Sequence, residues 1–171
     1  MHSVATDELR ALYEQHGGRI YTLARYALGS PVAAEDAVQS IFLKAFQNLG
    51  RFRGEAEKGT WLWRIAVNHV NDELRRRKRA EEVPLEAILG WADEAQSPEE
   101  RRAVKQVDEI VARALLELSP KLRTVVVLRY VEEMPYDEIA AVLGCSVGTV
   151  SSRLARALSK LERILRPLRS N

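Results

Sequence analysis

The sequence predicts an all-α protein with two small helical domains. Apolar residues recur at helical spacing almost everywhere along the 171 residues, and no stretch shows the alternation typical of a strand. Hydrophobic residues make up 46% of the chain, enough to build helical cores. Residues 81–107 have weaker periodicity and contain two prolines and a glycine. We therefore expect domains at residues 1–80 and 108–171, joined by a flexible linker.

The first predicted helix runs from about Asp7 to Leu28, with Thr6 as its candidate N-cap. The pair Gly17-Gly18 is a predicted weak point, because glycine is a poor helix former. Gly29 follows the last periodic residue and ends the helix.

The second predicted helix spans Pro31 to Leu49. Ser30 is its candidate N-cap, and proline suits the first helical position. A polar loop, Gly50 to Gly59, leads to a third helix from Thr60 to about Ala80. The apolar side of the second helix is expected to carry Val38, Ile41, Phe42, Ala45 and Phe46, and that of the third Trp61, Ile65 and Leu74.

Beyond the linker, helical periodicity resumes near Glu99 and continues to Leu118. The pair Ser119-Pro120 is typical of a helix start, and Met134-Pro135 interrupts the pattern again. These signals predict one helical segment from near Glu99 to Leu118 and a next helix that starts at Ser119-Pro120.

The stretch from Tyr136 to Leu161 has the pattern of a helix-turn-helix, whose second helix lies in the DNA major groove. Gly144 can adopt the positive φ that ends the first helix, and Ser146 can cap the second. The second helix has an apolar face with Val147, Val150, Leu154, Leu158, Leu161 and Leu165. Its opposite face carries Thr149, Ser152, Arg153, Arg156, Lys160 and Arg163. A solvated basic face on an ordinary bundle helix is the alternative, but the glycine turn favours DNA binding.

Charge is unevenly distributed, although the formal net charge is only +2. Residues 1–80 hold 13 basic and 9 acidic residues, residues 81–107 hold 3 and 7, and residues 108–171 hold 10 and 8. An acidic linker should avoid DNA while the two basic ends approach it.

Other function classes find little support. The only cysteine is Cys145, which excludes an intrachain disulfide and is expected to be a small packed residue. The three histidines are scattered, and neither metal-ligand spacing nor a phosphate-binding glycine loop occurs, so we expect no cofactor, no metal and no enzyme. The N-terminus does not resemble a signal peptide, and no apolar run approaches the roughly 20 residues of a membrane span. A cytoplasmic protein without membrane insertion is expected.

A second group of residues, from Glu57 to Arg79, combines tryptophans, amides and five consecutive basic residues. Aromatic rings stack on single-stranded bases and cations follow the backbone. Alternatively, Trp61 is a core anchor and Arg75 to Arg79 form a solvated helix end that complements the helix dipole. The residues alone leave both readings open.

Taken together, three motifs resemble the extracytoplasmic-function (ECF) sigma factors of bacterial RNA polymerase. The segment Ala34 to Phe52 is similar to the part of region 2 that grips the β′ clamp helices, and Phe52 to Arg79 to the part that reads the promoter −10 element. Leu118 to Leu161 is similar to region 4, which reads the −35 element. The resemblance covers nearly the whole chain.

The resemblance implies a set of contact residues. For −35 DNA these are Thr149, Ser151, Ser152, Arg153, Ala155, Arg156 and Lys160. For −10 DNA they are Trp61, Asn68, Asn71, Asp72, Arg75, Arg76, Arg77, Lys78 and Arg79, beside a loop from Gly54 to Thr60. For core polymerase they are Asp36, Gln39, Ser40, Leu43, Lys44 and Gln47. Arg156 is the best candidate for a base contact, since arginine can bind guanine bidentately.

The resemblance also implies partners: core RNA polymerase, through its β′ clamp helices and β subunit, and promoter DNA. It further implies an anti-sigma factor that wedges between the two domains and could hold the protein at the inner membrane. The alternative is a stand-alone helix-turn-helix regulator that does not bind core polymerase.

Overall fold

The computed structural model describes residues 2–54, 56–80 and 109–169. All regular structure in these residues is helical, and they contain no strand. The predicted all-α class is confirmed. The predicted linker, residues 81–107, lies outside the described residues, as does the predicted helix start at Glu99. The boundaries of the two domains stay a prediction.

Three helices form the N-terminal half (residues 2–80): α1 (His2–Leu28), α2 (Pro31–Leu49) and α3 (Lys58–Ala80). Each packs against the other two. The expected cap of α1 was wrong, because Thr6 lies inside the helix. The helix also continues through the predicted weak point at Gly17-Gly18. Gly17 is buried against the ring of Tyr13, so packing offsets its weak helical propensity.

The predicted start of α2 is confirmed. Ser30 has extended backbone angles, and its hydroxyl accepts a hydrogen bond of 3.3 Å from the backbone N–H of Ala33. Gly29 ends α1 with a φ of +70°. In contrast, α3 begins at Lys58, two residues before the predicted Thr60.

The core of the N-terminal half centres on Trp63, which is 1% exposed. Trp61 and Ile65 are only partly buried against this core, whereas Leu74 is buried as predicted. The prediction for Phe46 was wrong, because its side chain is 44% exposed. It follows the buried Ala45 by one residue, which turns it to the edge of the apolar stripe.

The C-terminal half (residues 109–169) begins with α4 (109–116) and α5 (Pro120–Val126), which continues as one π-helical turn to Val131. Next come α6 (Tyr136–Leu143) and α7 (Val147–Leu165), which ends in a 3-10 turn. Ser119 occupies the N-cap position of α5 as predicted, without a side-chain cap. In this half α7 packs on α5 and α6.

The two halves pack directly against each other. The C-terminal helices α5 and α6 contact α3, and α5 with its π-helical turn also contacts α1. Buried residues of both halves form one hydrophobic cluster, which runs from Leu12 in α1 to Ala157 in α7. None of the described helices is long and apolar enough to cross a membrane.

Candidate nucleic-acid interfaces

The turn between α6 and α7 has the predicted helix-turn-helix geometry. Gly144 adopts the left-handed conformation with a φ of +62°, and its N–H donates to the carbonyl oxygen of Ala140. The hydroxyl of Ser146 accepts a hydrogen bond of 3.1 Å from the N–H of Thr149, so Ser146 is the N-cap of α7. Both predicted roles in this turn are confirmed, and the first turn of α7 is held at a fixed angle to α6.

One face of α7 is buried and the other is open. The buried side chains are Val150, Leu154 and Ala157. Of the seven residues predicted to contact −35 DNA, four are exposed and three are half-buried. The exposed ones are Ser151, Ser152, Ala155 and Arg156, and the half-buried ones are Thr149, Arg153 and Lys160. An amphipathic helix mounted this way can enter a major groove with its outer face.

Four of these side chains, including Ser152, already have hydrogen-bond partners in the protein. The Lys160 ammonium donates to the carbonyl oxygen of Glu117 at 2.6 Å, which ties α7 to the end of α4. The Thr149 hydroxyl lies 2.9 Å from that of Ser146. Within the described part of the chain, Arg156 makes one long hydrogen bond, of 3.3 Å from its Nε to the carbonyl oxygen of Ser152 in its own helix. Arg156 is exposed whereas Arg153 is half-buried, so of these two guanidinium groups that of Arg156 is the more available for a base edge.

Most residues predicted to contact −10 DNA lie on one stripe of α3. Each lies three, four or seven positions from another member, so they share a face of the helix. We define the α3 stripe as Trp61, Arg64, Asn68, Asn71, Arg75, Lys78 and Arg79. Trp61 is half-buried and packs on Phe52, with ring centroids 5.4 Å apart. Asn68 is exposed on the same face.

Acidic neighbours neutralise part of the basic block at the end of α3. Arg75 pairs with Asp72 at 2.7 Å, and Arg76 pairs with Glu73 at 2.8 Å. Arg77 also pairs with Glu73, at 3.0 Å. The hydrogen bond from Arg76 is the main cause that lowers the pKa of Glu73 from its ordinary value. Lys78 and Arg79 are exposed, and within the described residues neither makes an ion pair, so they carry the least compensated charge.

Asn71 and Arg64 of the α3 stripe contact the C-terminal half. The Thr124 hydroxyl in α5 donates to Asn71 Oδ1 at 2.9 Å. The Arg64 Nε donates to the carbonyl oxygen of Ala141, in the last turn of α6, at 2.9 Å. Sequence reasoning missed Arg64, although its position three residues after Trp61 and four before Asn68 placed it on the same face.

The residues predicted to bind polymerase lie along the outer side of α2. Asp36, Gln39, Leu43, Lys44 and Gln47 are exposed, and Ser40 is half-buried. Leu43 and the unpredicted Phe46 form an apolar pair on this surface, with 57% and 44% of their side chains exposed.

Lys44 also joins α2 to α3, since its ammonium lies 2.9 Å from Nδ1 of His69. Lysine can only donate, so this contact needs a neutral imidazole with its acceptor at Nδ1. Burial, helped by the Lys44 charge, lowers the pKa of His69 and favours the neutral form.

A groove of about 280 Å³ on the C-terminal half was also missed from the sequence. Its lining is almost wholly apolar and includes Val111, Tyr130 and Leu158, which are all partly exposed. They come from α4, the π-helical turn and α7, so only tertiary structure brings them together. Within the described ranges, no group of three His, Cys, Asp or Glu side chains could hold a metal ion.

Comparison with known proteins agrees with this arrangement. Residues 12–80 match the family described as Sigma-70 region 2, and residues 108–161 match Sigma-70, region 4. The ECF RNA polymerase sigma factor SigW of Bacillus subtilis is 31% identical over 170 residues, which cover 95% of this chain and 91% of SigW.

Two solved structures share the fold. CnrH, in complex with the cytosolic domain of CnrY, is 28% identical with a TM-score of 0.69, covering 95% of this chain and 90% of CnrH. The sigma factor RpoE of Bartonella quintana, in complex with the anti-sigma factor NepR, is 24% identical with a TM-score of 0.68, covering 94% and 96%. The chain belongs to the ECF sigma factors of RNA polymerase. It is thus a transcription initiation factor with a region 2 and a region 4.

Proposed function

We propose that this sigma factor divides promoter recognition between the outer face of α7 and the α3 stripe. In this proposal α7 reads the −35 element in the major groove, and the α3 stripe contacts the −10 element on the non-template strand. One observation carries the proposal: α7 buries Val150, Leu154 and Ala157 while Arg156 and its polar neighbours face outward.

For the −35 element, Arg156 is the proposed base contact because its guanidinium is exposed and can bind guanine O6 and N7 together. Arg153 is half-buried and fits a phosphate contact. Lys160 can reach a phosphate only after its ammonium leaves the carbonyl oxygen of Glu117.

For the −10 element, Asn68 and Asn71 are the proposed readers of an extruded base, since an amide can bond its Watson–Crick edge. Lys78 and Arg79 are the proposed backbone contacts, because both are exposed and neither forms an ion pair with another described residue.

Core polymerase is proposed to bind the outer side of α2. The apolar pair of Leu43 and Phe46 would form the centre of that interface, with Asp36, Gln39 and Gln47 around it. Exposed apolar side chains surrounded by polar ones are typical of an interaction site.

We also propose an anti-sigma partner, as in the RpoE–NepR complex of Bartonella quintana. The proposed location is the cytoplasm, with attachment to the inner membrane through that partner. A partner inserted between the two halves would displace Thr124 from Asn71 and the Ala141 carbonyl from Arg64. Recovery of this protein from resting cells already bound to polymerase would contradict this proposal.

The experiment combines co-elution with core polymerase and transcription from promoters mapped after overexpression. We expect Arg156→Ala to co-elute normally but to lose transcription from −35-dependent promoters. Arg166→Ala, an exposed arginine just beyond α7, is the matched control and should retain both. Loss of polymerase binding by Arg156→Ala would refute its assigned role. Failure of the wild type to co-elute would favour a stand-alone regulator.

A further inference from the structure

The contact between the two halves lies on the same surface that the proposed function assigns to −10 DNA. Arg64 and Asn71 are seven residues apart on α3, so they lie one above the other on the α3 stripe. Both point toward the C-terminal half and use their polar atoms there. Single-stranded DNA that lay along the α3 stripe would need the same atoms.

The groups that α5 and α6 present are chemically similar to those of a nucleic acid. The carbonyl oxygen of Ala141 lies in the last turn of α6, where helix carbonyls lack helical partners and carry the negative end of the dipole. Arg64 donates to this oxygen as it would to a phosphate oxygen. The Thr124 hydroxyl donates to Asn71 Oδ1, as a base amine would.

The α3 stripe is held against these groups by a third contact. Arg19 in α1 donates from Nε to Oε2 of Glu132 at 2.9 Å and from Nη2 to its backbone oxygen at 2.9 Å. The Glu132 side chain is 4% exposed, and Thr124 as a residue is 1% exposed. Separating the halves therefore breaks buried polar contacts that the packed state satisfies.

We propose that region 4 of this protein is an intramolecular competitor of −10 DNA for the α3 stripe. Single-stranded DNA and the C-terminal half bind Arg64 and Asn71 in a mutually exclusive way, so in free protein these two side chains are engaged by the C-terminal half. Arg64, which is absent from the predicted contacts, becomes a DNA-backbone contact once the halves separate. This inference rests on the proposed function of α3.

The test uses full-length protein and two substitutions outside α3, Arg19→Met with Thr124→Val. They remove the bonds from Arg19 to Glu132 and from Thr124 to Asn71 but leave the residues of the α3 stripe unchanged. The control is Arg10→Met, at an exposed position of α1. Small-angle scattering measures separation, and fluorescence anisotropy measures binding of a labelled thymidine oligonucleotide at low salt.

We expect the double variant to be expanded and to bind the oligonucleotide about tenfold more tightly than wild type, as loss of about two buried polar contacts implies. Adding Arg64→Ala should abolish the gain. By linkage, the oligonucleotide should also expand the wild-type protein. Expansion without tighter binding would overturn the inference, and so would a double variant that stays compact.

If the double variant loses its helical circular dichroism, Thr124→Val alone is used, with an expected gain of about threefold from one hydrogen bond. An unchanged affinity in that variant would also overturn the inference. Polymerase co-elution does not depend on these contacts. Failure of the protein to co-elute with polymerase would therefore count against the proposed function. The competition between region 4 and DNA would still be tested by the anisotropy data.

Discussion

The buried guanidinium of Arg123 in α5 donates a hydrogen bond to the carbonyl oxygen of Ala27, near the end of α1 in the other half of the chain. The same guanidinium donates to the carbonyl oxygens of Leu115, Leu116 and Leu118 at 2.7–3.1 Å. It thus satisfies carbonyl groups at the ends of two helices that belong to different halves. Burial lowers the pKa of Arg123 to about 10, so it is fully charged at neutral pH.

Arg123→Met should destabilise the protein by about 2–4 kcal/mol, because carbonyl oxygens in both halves lose their donor. The free energy of unfolding is measured from the midpoint of denaturant unfolding, with the slope of that free energy against denaturant concentration unchanged. Arg113→Met, at an exposed position of α4, is the control and should change stability by less than about 0.5 kcal/mol. Equal effects of the two substitutions would show that Arg123 does not organise the helix ends.

Arg19→Met should destabilise the protein in a pH-dependent way. Burial raises the pKa of Glu132 above its ordinary value of 4.5, and the hydrogen bond from Arg19 offsets part of that rise. A carboxyl with a raised folded pKa binds protons more readily when folded, so its contribution to stability falls as pH rises from 4.5 through the folded pKa. Without Arg19 that pKa is higher still, and the fall is larger.

The difference between wild type and Arg19→Met should therefore be small below about pH 4 and reach about 1–2 kcal/mol at pH 7, since Arg19 is half-exposed. Unfolding curves across this range would measure it. Arg10→Met should follow the wild-type profile. A difference that shrinks with rising pH would mean that ionised Glu132 does not depend on Arg19.

Gly144→Ala should lower the free energy of unfolding by about 1 kcal/mol or more, because alanine is strained at the φ of +62° that Gly144 adopts. The cause is backbone strain and not a clash, since no atom lies within 4 Å of a Cβ added there. Gly144→Asn should cost less, since asparagine tolerates this region. The comparison is Gly148→Ala in the first turn of α7, where φ is not positive and alanine favours the helix. Thermal unfolding should rank Gly148→Ala as the most stable of the three.

Lys78→Ala and Arg79→Ala should each lower the slope of log affinity against log salt for single-stranded DNA by about 0.7. Arg76→Ala should lower it less, because Glu73 already neutralises part of its charge. Anisotropy titrations at several salt concentrations would measure the three slopes. Equal slopes for Arg76→Ala and Arg79→Ala would argue against compensation by Glu73.

Local signals predicted the local structure well. Ser30-Pro31, Gly144 and Ser146 act where the sequence placed them, because caps and positive φ angles depend on a few neighbouring residues. The predicted weak point at Gly17-Gly18 does not interrupt α1, for the opposite reason. A local propensity of about 1 kcal/mol per glycine was outweighed by the packing of a long helix.

Contacts between the halves were beyond the reach of sequence reasoning. Arg64 and Arg123 each bond to backbone oxygens, which every residue carries, so no residue pattern marks the partner. The apolar groove beside Tyr130 collects residues from three separate helices. In the sequence these residues have the pattern of ordinary core positions, and only the packed helices bring them together in a groove.

The outer face of α7 stays open while Arg64 and Asn71 of the α3 stripe bond to the C-terminal half. In the proposed competition, this difference separates DNA binding into two successive steps. Helix α7 can bind a duplex before Arg64 and Asn71 separate from the C-terminal half. Once α7 is bound, the α3 stripe stays within a short distance of the adjoining DNA, at an effective concentration far above that of free protein. A weak second contact is then enough to complete the engagement.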